Sequence, residues 1–323
     1  IELNAWISID TAGTVTIINH RAEMGQGSFQ AVPQIIAEEL EVDLNQVKIV
    51  FAQGSQTKYG SQITGGSSTV RGSYKRLLRL AASAREMLLE AASRKWNVAR
   101  TELVAENGQV IQITTGEAIS YGDLVADAAK LQPPKEVKLK SPRDYKVLRK
   151  PMPRQDIPMK TNGQAVFGID KKIPGMLYAV VERNPRFLGK LKSFDDSAAK
   201  AMPGVKHILP VKMRVFSHDR EGVAVVADSL WAALQARKAL KVEWDDTAFP
   251  HHSSEQLYAQ MREDVKNKPG LSFRTKGDFT RAFETSAKKL EAVYETPYEA
   301  HACMEPLNCI AHFQNNKLEI WGP

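Results

Sequence analysis

The chain has 323 residues, 43% of them hydrophobic and 25% charged, a balance that suits two or three ordinary globular modules and argues against a disordered chain. Its 44 basic residues outnumber 37 acidic ones, for a formal charge of +7, but they are interleaved with acids and no basic run alternates with stacking aromatics, which argues against nucleic-acid binding. No stretch approaches the roughly 18 apolar residues of a membrane span, so none is expected.

The chain starts at Ile1 rather than Met, which reads as a processed or trimmed sequence, so an export signal would lie outside it. Ala5 to Ile18 carries a turn signal at Asp10 to Gly13 between two β-rich runs and predicts a hairpin. A glycine loop, Glu23-Met24-Gly25-Gln26-Gly27, follows. Beyond it Val32, Ile35, Ile36 and Leu40 fall at helical spacing, so a helix is expected over Phe29 to Leu40 with Ser28 as its N-cap. Gln46 to Ala52 alternates as a strand.

A second loop, Gly65-Gly66-Ser67-Ser68-Thr69, leads into a long helical pattern that ends near Trp96. Leu77, Leu78, Leu80, Ala81, Ala84, Met87, Leu88, Ala91 and Ala92 make its apolar face. Arg71, Lys75, Arg76, Arg79 and Arg85 read as a solvated face. Between Leu131 and Met159 the proline-rich, basic sequence predicts a linker or an extended crossing strand. Strand character returns at Ala165 to Val181, broken by an Ile173-Pro174-Gly175 turn. A buried strand is expected at Gly222 to Ala227, a helix at Ser229 to Ala239 opened by Asp228 or Ser229, and a strand at Lys241 to Trp244. Hairpins and helices without strict alternation predict an α+β fold rather than a doubly wound sheet.

Both glycine loops lead into helices, and backbone amides at a helix start favour an anion such as a phosphate. Glycine and serine before a helix are equally ordinary capping chemistry, so each loop alone leaves both readings open. Neither loop is a Walker A sequence or a Gly-x-Gly-x-x-Gly fingerprint, which argues against ATP and NAD. The histidines, including the adjacent His251 and His252 and the distant His301 and His312, show no metal-binding spacing. Cys303 and Cys309 lie in a segment read as a strand, where they would stand roughly 20 Å apart and could not pair. Near the C-terminus Glu305 sits among small and apolar residues. Buried, it would rise in pKa and could contact a substrate; otherwise it is a surface glutamate before a turn proline.

Glu23-Met24-Gly25-Gln26-Gly27, then Gly65-Gly66-Ser67-Ser68-Thr69-Val70-Arg71-Gly72-Ser73, then Met304-Glu305-Pro306 with Cys309 and Ala311, in that order, resemble the molybdopterin-binding subunits of the xanthine oxidase family, in particular the isoquinoline 1-oxidoreductase β-subunit branch. In that branch the Met-Gly-Gln-Gly segment precedes the middle domain, as it does here. Lys160 to Asp170 together with Pro174 to Ala179 resemble the start of the family's α/β hammerhead domain.

The resemblance implies a molybdopterin-binding module over 1–145, a hammerhead-like domain over 146–247, and the start of the next molybdopterin-binding module over 248–323. It implies that Met24, Gly25, Gln26 and Gly27, with Gly65, Gly66, Ser67, Ser68 and Thr69, line a molybdenum–pterin cofactor and its phosphate or cytosine-dinucleotide tail. Glu305 matches a position beside substrate. No side chain is expected to ligate the metal, which the pterin itself holds. The implied reaction hydroxylates an N-heteroaromatic compound or an aldehyde with water as oxygen source, passing electrons to 2Fe-2S clusters on a partner subunit. The family's base, a glutamate in a Gly-Glu-x-Gly context, falls beyond residue 323, so this stretch alone is expected to be inactive and to need the C-terminal remainder of its subunit. Relatives in this branch are often exported, which makes a periplasmic parent an expectation. The competing reading is a non-catalytic docking module that kept the fold and lost the cofactor.

Overall fold

The computed structural model describes residues 1–186, 188–247 and 253–322. His251 and His252 lie outside them. The fold is α+β, and the chain divides into two compact units, Ile1–Lys171 with Cys303–Pro323, and Lys172–Ala302.

In the first unit a four-stranded sheet runs in the order β1 (Glu2–Asn4), β2 (Ile7–Ile9), β3 (Val15–Asn19), β4 (Lys48–Phe51). β2 and β3 form the expected hairpin, and its turn is closed by Asp10, whose carboxylate accepts from the Ala12 and Thr14 amides. β4 pairs with β3 in parallel, because α1 (Ser28–Leu40) carries the chain across. Ile7, Ile9, Val15 and Ile17 alternate into the core, where they meet Val32, Ile36 and Leu40 of α1 and Leu77, Ala81, Ala84 and Leu88 of α3 (Ser68–Trp96), which follows the short α2 (Gln56–Tyr59). That 29-residue helix follows the sequence pattern closely. Complete burial of leucines such as Leu77 and Leu88 stabilises by about 1.5–3 kcal/mol each.

Arg85 departs from the solvated face expected of the α3 bases. It is buried and donates to Glu39 Oε2 and to the Glu39 carbonyl, both at 2.8 Å, because α1 packs over that stretch of α3. A second sheet of β5 (Leu103–Glu106), β6 (Gln109–Gln112) and β7 (Ala118–Ser120) leads into a helix at Tyr121–Ala128, whose buried Tyr121 hydroxyl donates to the Leu40 carbonyl at 2.8 Å.

The proline-rich segment is irregular, as expected of a linker, yet it is tied down. The fully buried Glu38 carboxylate accepts from the amides of Lys146, Val147 and Leu148 and from Lys140 Nζ. Glu39 Oε1 accepts from the Lys140 amide at 2.9 Å. Ala165 to Asp170 is not the strand its composition suggests. The Asp170 carboxylate accepts from the Phe167 amide at 3.0 Å and closes a single tight turn over Gly168–Asp170. Cys303 to Cys309 is not a strand either, since Pro306 donates no amide and its carbonyl is taken by Asn308 Nδ2. A hairpin, Ile310–Gln314 with Lys317–Trp321, follows, and both cysteines are free and exposed.

In the second unit a central strand, His218–Ala227, pairs antiparallel with Val205–Val215 on one side and Tyr178–Arg183 on the other. Gly222 to Val225 are buried, as the apolar run predicts. A Cβ on Gly222 would lie 2.5 Å from the Glu182 carbonyl, so the close strand approach requires glycine. The helix Leu230–Ala239 is capped by Ser229, whose hydroxyl accepts from the Ala232 amide at 3.2 Å, and covers this sheet through Ala233 and Ala236. Lys190–Asp195 pairs antiparallel with Lys241–Asp245. Two further helices, Ser254–Asn267 and Phe279–Thr285, contain no buried residue.

Candidate cofactor-binding site

β3 delivers three buried polar residues, Asn19, His20 and Arg21, to the foot of the first loop. Burial, then the Arg21 and Arg76 charges, hold His20 down at about 4, so it is neutral at pH 7. The loop then closes on itself around Glu23. Its carboxylate accepts from the amides of Gly25 at 2.7 Å, Gly27 at 3.0 Å and Phe29 at 2.8 Å, and Arg154 Nη2 lies 3.3 Å away. Burial alone would raise this carboxyl; the three amides and Arg154 outweigh it and hold Glu23 below the usual range. Glycine is needed at 25 and 27 because φ is +97° and +93° there, and no side chain would be crowded at Gly25.

Two expectations change accordingly. Ser28 is not the N-cap of α1: it is the first helical residue, its hydroxyl donates to the Ala22 carbonyl at 3.0 Å, and Gly27 holds the cap position. The loop amides that composition offered to a phosphate are aimed at an internal carboxylate, which already neutralises the start of α1. Gln26 is also folded back, with Nε2 donating to the Ala22 carbonyl at 2.7 Å and Oε1 accepting from the Met24 amide at 2.6 Å. Met24 is left 66% exposed, free to lie against a ligand.

The second loop is different. Gly65, Gly66 and Ser67 are exposed, Ser67 takes the left-handed region at φ 52°, and no side chain caps the first turn of α3. A non-glycine residue held there is strained by about 1–2 kcal/mol, a kind of strain that clusters at ligand sites. The Ser68 amide donates to the Gly65 carbonyl at 3.2 Å, Ser68 Oγ and Arg71 Nη2 donate to the Gly65 and Gly66 carbonyls, and the Thr69 and Val70 amides of the first turn meet no side-chain cap.

The two loops meet. Arg21 Nη1 donates to the Ile63 carbonyl, Thr64 Oγ1 donates to the Ala22 carbonyl at 3.5 Å, and Ser73 Oγ lies 3.4 Å from His20 Nε2. The residues leading into the two loops are thus in contact, although 38 or more residues separate Met24, Gly25, Gln26 and Gly27 from Gly65, Gly66, Ser67, Ser68 and Thr69 in sequence, and among the described residues no hydrogen bond joins those two sets directly. Among the described residues no hydrogen bond or ion pair joins Glu305 to this junction. It is half-buried, and its Oε1 accepts from the Gly168 amide at 3.4 Å.

Sequence reasoning passed over Glu23, Arg21, Arg154 and Asp156. The signal for Glu23 was present, since a carboxylate two and four residues before glycine amides is placed to receive them. Arg154 gave none, because 129 residues separate it from the Gly25 carbonyl it contacts at 3.1 Å. Among the described residues no group of three or more His, Cys, Asp or Glu gathers to hold a metal ion, and no helix is long and apolar enough to cross a membrane. Metal binding through an organic ligand is compatible with that donor set, and the open α3 start with its small residues fits the phosphate end of such a ligand.

Residues 2–182 match the family model of the molybdopterin cofactor-binding domain. The chain belongs to that family. It is 32% identical to the isoquinoline 1-oxidoreductase β-subunit of Brevundimonas diminuta across 76% of this chain and 35% of that protein. It is likewise 32% identical to a membrane-bound aldehyde dehydrogenase (pyrroloquinoline-quinone) of Gluconacetobacter polyoxogenes, across 99% of this chain and 42% of the relative. A nicotinate dehydrogenase component of Pseudomonas putida is 28% identical over 99% of this chain and 27% of its own length. The chain therefore spans less than half of each of these relatives, all of which are named as oxidoreductases or dehydrogenases.

Proposed function

We propose that this chain is part of the molybdenum-cofactor-binding large subunit of a molybdenum hydroxylase that oxidises N-heteroaromatic compounds or aldehydes. The observation that carries this reading is the junction of the two glycine loops at the start of α3, in a chain whose family is molybdopterin-binding. The exposed Met24 face of the first loop lines the pterin, held rigid by Glu23. Gly65 to Thr69 take the phosphate end, monophosphate or cytosine dinucleotide, on open amides. Bound there, the molybdenum–pterin group supplies a two-electron oxidation with water as oxygen source, its electrons leaving through iron–sulfur clusters on a partner subunit. Glu305 contributes to the substrate side. The division into modules at 1–145, 146–247 and 248–323 belongs to the same reading, as does a subunit completed by further sequence.

One observation favours the docking-module alternative: Glu23 satisfies the first loop without a ligand. The test is cofactor analysis of the protein purified from its own host with whatever subunits accompany it. Near-stoichiometric molybdenum with an extractable pterin is expected. An active preparation containing pyrroloquinoline quinone and no molybdenum rejects the proposal, and an intact complex with neither group favours the docking module.

A further inference from the structure

The first loop is shaped from within but placed from outside. The bonds that shape it run between residues 22 and 29: Glu23 gathers the Gly25, Gly27 and Phe29 amides, and Gln26 braces Ala22 and Met24. With glycine at two of its positions the loop can reorient at little steric cost, so a contact from elsewhere has to choose its place. Among the described residues one side chain from outside 19–30 reaches residues 23–27 by a hydrogen bond or ion pair. It is Arg154, whose Nη1 donates to the Gly25 carbonyl at 3.1 Å while Nη2 lies 3.3 Å from Glu23 Oε1.

Arg154 is itself held in one orientation. Its Nε and Nη2 donate to the two carboxylate oxygens of Asp156 at 2.9 and 2.5 Å, a fork that fixes the guanidinium plane. Asp156 is buried, and Lys160, four residues on in the short helix Ile157–Thr161, donates to its Oδ2 at 2.6 Å. Two carboxylates thus face two cations: Lys160 answers Asp156, and the charge of Arg154 is left for Glu23. The segment between them is anchored to α1 and the turn beyond it. Gln155 Nε2 donates to the Leu44 carbonyl at 2.5 Å, and the Gln155 amide donates to Gln30 Oε1 at 3.4 Å.

We propose that Arg154 is a positioning residue for the first loop: oriented by Asp156 and Lys160, it fixes where the Gly25 peptide stands over the start of α1, so that the exposed edge of residues 24–26 presents one constant face. Lys160, the first residue of the stretch that resembles the hammerhead start, thereby takes part in fastening the first loop. The fastening stands on these contacts; that the face it presents meets a pterin rests on the proposed function.

Hydrogen exchange read by mass spectrometry, on the protein purified from its own host with whatever subunits accompany it, tests this. Arg154→Met should speed exchange in a peptide spanning residues 22–30 by about tenfold, with β2, β3 and α3 unchanged. Arg154→Lys should recover part of the protection, because an ammonium keeps the charge but cannot bridge Asp156 and the Gly25 carbonyl in a fixed fork. Asp156→Asn, which leaves Arg154 in place and loosens its orientation, should speed the same peptide by less. A loop as protected in Arg154→Met as in wild type overturns the proposal. So does exchange that rises evenly through the first unit in the Met and Lys variants alike, because Arg154 is then a strut for the whole module. Molybdenum and pterin measured on the same samples separate the two readings. Local loosening in protein whose wild type carries neither group keeps the positioning role and removes the molybdopterin reading, whereas an unchanged loop in molybdenum-replete Arg154→Met protein removes the positioning role alone.

Discussion

Glu23 and Asp156 hold the first loop through charge, and both are sensitive to acid. Glu23→Gln preserves shape but leaves a single side-chain acceptor for the Gly25, Gly27 and Phe29 amides. The loss should be about 1–3 kcal/mol, seen as a lower Tm and faster hydrogen exchange at the start of α1. Asp156 is held at about 2, chiefly by its hydrogen bond from Arg154, against burial, and then by Lys160. Glu38 also lies below its ordinary value, because Lys140 and the Leu148, Val147 and Lys146 amides outweigh its burial. Depressed carboxyls stabilise the fold above their unfolded values and lose that contribution as pH falls through the folded ones. Stability should therefore begin to fall below about pH 6.5, where His20 takes a proton only in the unfolded chain, and go on falling between about pH 4.5 and 2 as the three carboxyls protonate. A Tm unchanged down to pH 2 would contradict the three assignments.

α1 is covered on all sides, by the sheet, by α3 and by the proline-rich strap, so its two glutamates are buried and must be paired. Removing one partner strands the other's charge. Arg85→Met is expected to cost about 3–5 kcal/mol in urea unfolding, with Glu39→Gln in the same background recovering part of it because no lone carboxylate remains. Additive losses in the double variant would mean that the pair acts independently. The strap answers to the same helix: with Glu38 changed to Gln, residues 140–148 should become the first part of this unit to exchange amide hydrogens.

Across the whole chain, burial is unevenly distributed. The first unit carries a large core of strands and helices, the second a small one around Val225, and the helices over Ser254–Asn267 and Phe279–Thr285 bury nothing. In the second unit Leu271, Phe273, Leu290 and Tyr294 are each at least 90% exposed, so this stretch adds little to its core. Limited proteolysis should therefore cut first between Asn267 and Asn308, with the 1–171 region surviving longest, as mass spectrometry of the fragments would show. Early cleavage inside α1 or α3 would refute this ranking.

Periodicity alone determined the β2–β3 hairpin, α1, α3, the Gly222–Ala227 strand and the Ser229 helix, because each is specified by local spacing of apolar residues and by a turn or cap within a few positions. The two glycine loops were legible for the same reason. The contact between the segments that lead into them was not, nor was the direction in which their amides point: an upstream carboxylate receives those of the first loop, while no side chain caps the helix start of the second. Arg21, Arg154 and the glutamates of α1 acquire their roles from partners 42 to 129 residues away, which only the packing of the sheet, α1, α3 and the strap brings within hydrogen-bond reach.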